Sequence, residues 1–137
     1  VTLPDRTEQP ARLLAYDREL DLAALAIEAN GLPTITLGDS QQLAVGAWVL
    51  ALGHPYGVLN AVTGGTVIGT GAFLPDMPLA RRDWIAVSLK MRPGHSGGSL
   101  IDDQGRLVGI NTMISGPEVG LAVPAHVAKT FLKQQML

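Results

Sequence analysis

Apolar residues fall along this chain in short runs, each closed off by glycine, proline or a small polar cluster. Runs of four to ten residues rich in Val, Ile, Leu and Ala predict β-strands. They lie at Ala11 to Ala15, Ala23 to Ile27, Trp48 to Leu52, Gly65 to Leu74, Trp84 to Leu89, Gly98 to Ile101, Leu107 to Met113 and Val119 to Val123. Most are apolar throughout or alternate only weakly, as the walls of small closed barrels do. Between Ile101 and Leu107 the sequence Asp102-Asp103-Gln104-Gly105-Arg106 supplies turn formers and a glycine, predicting a β-hairpin.

One segment has a different period. After Pro124, the residues Ala128, Phe131, Leu132 and Met136 recur at helical spacing, predicting a packed face on a helix from Ala125 to Leu137. Pro75 to Asp83 reads as an exposed loop. The fold expected is therefore all-β with a single C-terminal helix, and no internal repeat or low-complexity tract interrupts it.

Composition narrows the function. With 47% hydrophobic and 16% charged residues over 137 positions, the chain has the balance of one globular domain rather than a disordered segment. A formal charge of −2, with ten Lys and Arg spread along the sequence, provides no basic patch for nucleic acid. The absence of cysteine excludes thiolate nucleophiles, thiolate zinc sites and disulfides within these residues. No apolar run reaches the length of a membrane span, and no basic-then-apolar leader opens the sequence. It starts at Val1 rather than at methionine, as expected of a processed or excised chain.

Candidate chemistry concentrates at Gly94-His95-Ser96-Gly97-Gly98. Glycines on both sides of a serine let the backbone turn sharply and aim amide N–H groups into one small volume, which is what an oxyanion hole requires. The ordinary reading of such a segment is a turn without chemistry. The pentapeptide also satisfies the G-x-S-x-G elbow of α/β-hydrolases, with Asp102 or Glu118 and then His126 in the order that fold requires. That elbow needs a helix directly after the serine, whereas strand, turn and strand are predicted there.

Longer matches bear on the choice. Pro93 to Leu100, Gly109-Ile110-Asn111-Thr112, Gly120-Leu121-Ala122-Val123-Pro124, Ala51-Leu52-Gly53-His54-Pro55-Tyr56-Gly57 and Asp21-Leu22-Ala23-Ala24-Leu25 stand in the order found in HtrA/Deg serine proteases, which the chain resembles over nearly its whole length. The resemblance implies a chymotrypsin-like double β-barrel. Residues 1–40 would be the end of the first barrel and the start of the linker, and residues 41–137 the complete second barrel with the helix. It further implies a serine endopeptidase acting on protein or peptide substrates, with Ser96 as nucleophile and Asp21 as triad acid. The N–H groups of Gly94 and Ser96, with that of His95 between them, would be oxyanion donors. Ile110, Asn111, Thr112 and Met113 match the strand that pairs with extended substrate. No cofactor or metal is implied.

A general base is needed within hydrogen-bond reach of the serine. His54 falls in a turn, His95 adjoins Ser96 on the tight bend, and His126 belongs to the helix, so none is the expected base. By the resemblance, the catalytic imidazole lies upstream of Val1 and these 137 residues alone are inactive. A non-catalytic peptide- or partner-binding module on the same scaffold is the alternative. Lys90, six positions before Ser96, gives no support for a basic-side-chain preference, and small or medium apolar side chains are expected at the cleavage site, subject to the loops Val87 to Arg92 and Ser115 to Val119. Departures from the family pattern are His95 for asparagine, Ser99 for proline, and Val87-Ser88 for Thr-Asp. The resemblance also raises the expectation of a cell-envelope, periplasmic or extracytoplasmic location, a trimeric homo-oligomer and a PDZ domain beyond Leu137.

Overall fold

A computed structural model describes residues 1–71 and 83–135. The strands are β1 (Ala11–Asp17), β2 (Leu22–Ile27), β3 (Trp48–Gly53), β4 (Ala61–Gly71), β5 (Trp84–Ser88), β6 (Ser99–Asp102), β7 (Leu107–Gly116) and β8 (Val119–Pro124), followed by helix α1 (Ala125–Gln135). Strands β3 to β8 close into a six-stranded antiparallel barrel in the order β3-β4-β5-β8-β7-β6, while β1 and β2 form a separate two-stranded ribbon. The expected all-β architecture with one C-terminal helix is present. The expected end of the β4 strand past Gly71, the loop before Asp83 and the Met136 contact lie outside the described residues.

Closure of the barrel explains why its strands read as continuous apolar runs. Val49 and Ala51 of β3, Val67 of β4, Ile85 and Val87 of β5, Leu100 of β6, Val108 of β7 and Ala122 of β8 fill its interior. On the opposite face of β5, Trp84 and Ala86 pack with Leu121. Both faces of that strand are covered, so no polar alternation survives in it.

Two expectations need correction. Strand β4 begins at Ala61, not Gly65. A Cβ on Gly65 would collide with the Ser88 carbonyl, so glycine there lets β4 approach β5 closely. On α1, Phe131 is buried with Ala125, whereas Leu132 is 46% exposed and does not share the packed face.

The ribbon is tied to the barrel by a small core of its own. Leu22 and Ala24 of β2 meet Val123 of β8 and Phe131 of α1, with Ala15, Leu20, Ile110, Val127 and Ala128 packed around them. The segment before the barrel is fastened as well: Leu37 bridges to Leu107 in parallel, and the Gly38 N–H donates to the Leu107 carbonyl at 2.8 Å. The start of β2 is thereby held at a fixed place on the barrel surface.

Candidate active site

Asp21 stands at the end of the turn joining β1 to β2. The Asp17 carboxylate shapes this turn by accepting the N–H groups of Glu19 at 2.9 Å and Leu20 at 3.0 Å. Asp21 itself has a positive φ of 56°, a conformation that Asp tolerates better than most residues. Because Leu22 is anchored in the core under α1, the exposed Asp21 side chain reaches the barrel. The hydroxyl of Thr112 donates to its Oδ2.

Thr112 lies on β7 where the register against β8 shifts between Asn111 and Met113, an irregularity of the kind that re-aims side chains beside active sites. Its carbonyl accepts the hydroxyl of Ser96 at 2.8 Å. Asp21 and Ser96, far apart in sequence, thus meet on one residue, the acid at its side chain and the serine at its main chain. Ser96 is exposed.

The segment from Arg92 to Gly98 can be accounted for group by group. The carbonyl of Arg92 accepts the His95 N–H at 3.0 Å, that of Pro93 the Tyr56 N–H at 3.2 Å, that of Gly94 the His54 N–H at 2.9 Å and that of His95 the Gly98 N–H at 2.9 Å. Four successive carbonyls of the bend are thereby occupied. The Arg92 N–H donates to the His95 imidazole at 2.9 Å and the Gly97 N–H to the Asn111 carbonyl at 2.7 Å. The N–H groups of Gly94 and Ser96 have no acceptor among the described residues. Gly94 has φ +105°, and a Cβ there would collide with the His54 carbonyl, so the bend requires glycine.

Of the three amides expected as oxyanion donors, two are available. The His95 N–H is a correction: its bond to Arg92 closes the turn and turns it away from the open side. The expected substrate strand is also narrower than anticipated. Ile110 pairs with Ser99 on one side and Val123 on the other, and Asn111 is bonded to Gly97 and Gly98 while registered with Ala122. Barrel closure leaves neither residue a free edge, and β7 runs past its pairing with β6 only from Thr112 and Met113 onward.

No imidazole among the described residues hydrogen-bonds Ser96. His54 lines the same groove as Ser96, Gly94, Gly97 and Ser99, but its Nδ1 accepts the Asn60 N–H at 3.0 Å. His95 is turned inward. His126 is engaged with Ser40, whose hydroxyl lies 2.8 Å from Nδ1 and accepts the His126 N–H at 2.9 Å, and with the Asp83 carboxylate 3.1 Å from Nε2. No sequence pattern brings this Ser-His-Asp chain together, since the three residues are scattered along the chain. Its serine is buried and capped by a backbone donor, so it fastens the start of α1 to the segment before β3 rather than presenting a nucleophile.

The α/β-hydrolase alternative fails on the same geometry. Strand β6, not a helix, follows Ser96. Asp102 is buried in its hairpin, accepting the N–H groups of Gln104 and Arg106 and the Arg106 guanidinium at 2.8 Å. Burial pushes the Asp102 carboxyl up, but the Arg106 and Gln104 amides and the Arg106 side chain together hold it below its ordinary value. Asp102 is a structural acid of the hairpin.

A closed antiparallel barrel with a two-stranded ribbon docked on it, a serine beside two free amides and a carboxylate bonded to the same threonine that holds the serine are features of the chymotrypsin-like fold. The chain belongs to the trypsin-like peptidase domain family, whose model matches residues 1–110. It is 44% identical over 133 residues to a probable periplasmic serine endoprotease DegP-like of Pseudomonas fulva, covering 93% of this chain and 27% of that protein. It is 42% identical over 139 residues to the DegP-like protein of a Marinomonas species, covering 98% and 29% respectively. Among solved structures, the HtrA-type protease AlgW with a decapeptide superposes with a TM-score of 0.91 at 36% identity, over 98% of this chain and 43% of that one. The chain therefore spans between a quarter and a third of the length of these curated relatives.

Proposed function

We propose that these residues form part of an HtrA-like serine endopeptidase that hydrolyses peptide bonds in protein substrates. The triad would consist of Ser96, Asp21 and an imidazole supplied from outside residues 1–137. The observation that carries the reading is the convergence of Ser96 and Asp21 on Thr112 beside the free amides of Gly94 and Ser96.

In this mechanism the Ser96 hydroxyl leaves its resting bond to the Thr112 carbonyl and passes its proton to the imidazole as Oγ attacks the substrate carbonyl. The developing oxyanion is received by the Gly94 and Ser96 amides, each worth a few kcal/mol at the transition state. The Asp21 carboxylate orients the imidazole and stabilises its charged form; the imidazole then protonates the leaving amine, and water repeats the cycle on the acyl-enzyme. Bonding to Thr112 fixes one carboxylate oxygen and leaves the other for the imidazole.

Extended peptide would lie along the free edge of β7 from Thr112 onward, binding by main-chain hydrogen bonds while neighbouring pockets select side chains. The peptide carried by AlgW supports a peptide substrate. Small or medium apolar side chains are the proposed preference at the cleavage site. The names of the relatives support a periplasmic location. A trimeric assembly and a PDZ domain after Leu137 belong to the same proposal, as does the division into a first-barrel remnant at 1–40 and a second barrel at 41–137.

The test is hydrolysis of an unfolded protein substrate by a chain extended at its N-terminus with the segment that carries the imidazole in a DegP-like relative. Cleavage that disappears in Ser96→Ala and falls about 10⁴-fold in Asp21→Asn supports the peptidase. Tight peptide binding without cleavage in the folded, extended protein supports the non-catalytic module instead.

A further inference from the structure

We propose that the groove beside Ser96 receives the first residue on the leaving-group side of the scissile bond, and that His54 and Ser99 select there a side chain carrying a hydrogen-bond acceptor, a carboxylate above all. The proposal rests on the peptidase reading and deepens it by naming a substrate class.

The two flanks of Ser96 differ. On one, its hydroxyl rests on the Thr112 carbonyl, where the free edge of β7 would hold the acyl part of an extended substrate. On the other lies a groove of about 380 Å³, walled by the end of β3 at Leu52 and Gly53, by His54 and Asn60 of the turn that follows, and by Ser96 and Ser99. Among the described residues none of β7 lines it. A substrate attacked at its carbonyl over Ser96, with its acyl part on β7 and its oxygen at the Gly94 and Ser96 amides, continues past the serine, and this groove is the concavity it meets. A volume near the lower end of the roughly 300–1,000 Å³ of small-ligand sites suits one residue with its side chain.

The polar groups of the groove are held in place. The His54 main-chain N–H donates to the Gly94 carbonyl at 2.9 Å, tying this residue to the bend that carries the free amides. Its Nδ1 accepts the Asn60 N–H at 3.0 Å, which puts the ring proton on Nε2. That Nε2–H and the Ser99 hydroxyl have no partner among the described residues. Gly97 and Gly98 between the two serines add no side chain, so the space is left to an incoming residue.

Charge decides which acceptor fits best. No Asp or Glu lines the groove, and Asp21 lies on the Thr112 flank. A carboxylate therefore meets donors without a like charge beside them, and hydrogen bonds to an ionised acceptor are the stronger kind. A carboxamide makes the same bonds without the charge. An aliphatic side chain strips water from both donors and returns nothing.

Three peptides identical except for Glu, Gln or Leu directly after the cleaved bond test this in the N-terminally extended protein. kcat/KM is expected to fall in the order Glu, Gln, Leu, with Glu above Leu by about tenfold or more, the scale of a hydrogen bond to a charged group. His54→Asn keeps an oxygen where Nδ1 stands, and so can still hold Asn60, but withdraws the outer donor; Ser99→Ala removes the hydroxyl. Each is expected to shrink the Glu-to-Leu ratio about threefold or more, and a ratio within one enzyme is unaffected by a general loss of activity. Binding of the leaving-side product requires no hydrolysis: a peptide that begins with Glu is expected to shift the NMR signals of the Asn60 and Ser99 amides, more than one that begins with Leu and less in either variant. An extended protein that cleaves nothing would count against the peptidase reading, and product binding would then decide the subsite. Should His54→Asn fail to fold, Ser99→Ala carries the comparison. Equal kcat/KM for the Glu and Leu peptides, a ratio unchanged in both variants, or equal amide shifts with the two product peptides would overturn the proposal.

Discussion

The Thr112 hydroxyl donates to the Asp21 carboxylate, joining the β1-β2 ribbon to the barrel at the residue whose carbonyl holds Ser96. Replacing the hydroxyl by a methyl of similar size isolates this link. Thr112→Val in the extended protein should lower kcat by about tenfold, within the range of a hydrogen bond to a charged group, with little change in KM. Steady-state kinetics on a peptide substrate checks the split, and a variant with unchanged kcat would show that Asp21 needs no support from β7.

The ribbon holds its place through Leu22, buried between Phe131 and Val123. Leu22→Ala should destabilise the chain by about 2–5 kcal/mol, as cavity-forming substitutions in a core do. Urea denaturation followed by tryptophan fluorescence measures the loss. In the extended protein the same variant should lose activity below its unfolding transition, because Asp21 directly precedes the residue that has lost its anchor.

Acid sensitivity is expected from Asp102. Its carboxyl is held below the ordinary value in the folded chain, so the unfolded state takes up the proton first as pH falls. The stabilisation is complete above the unfolded carboxyl pKa of about 3.9 and is lost as pH drops through the lower folded value. Asp102→Asn should cost about 1–3 kcal/mol at neutral pH and flatten the stability profile below pH 4. Thermal unfolding across pH 2.5–7 tests both on the order of magnitude given by those carboxyl values.

The Ser40-His126-Asp83 chain makes a contrasting prediction. Ser40→Ala removes the acceptor of a helix-terminal N–H and should cost about 1 kcal/mol of stability. Hydrolysis by the extended protein should be unaffected, since this cluster lies apart from the groove lined by Ser96. Lost activity at full folding would give the cluster a catalytic role that its buried serine argues against.

Much of the site could be read from residues adjacent in sequence. The glycines around Ser96 announce a bend with free amides, and the Asp-Gln-Gly hairpin after Ile101 excludes the helix that an α/β-hydrolase elbow would need. Links across the sequence were hidden. Nothing in a single chain signals that a threonine on β7 bonds an aspartate 91 positions earlier, or that a serine before the barrel caps the last helix. Barrel closure also overrode local signals: the strand expected from Gly65 begins at Ala61, with Gly65 pressed against the Ser88 carbonyl of β5, and Ile110 reads as a substrate-pairing residue until β6 and β8 occupy both its edges.

Under the proposed function Ser96 is an activatable nucleophile beside the oxyanion donors Gly94 and Ser96. Reaction of the N-terminally extended protein with a fluorophosphonate, followed by mass spectrometry of its peptides, tests this most directly. A single adduct on Ser96 is expected, slowed strongly in Asp21→Asn and absent in Ser96→Ala. A folded, extended protein that remains unlabelled, or that carries its adduct on Ser40 or another serine, would contradict it.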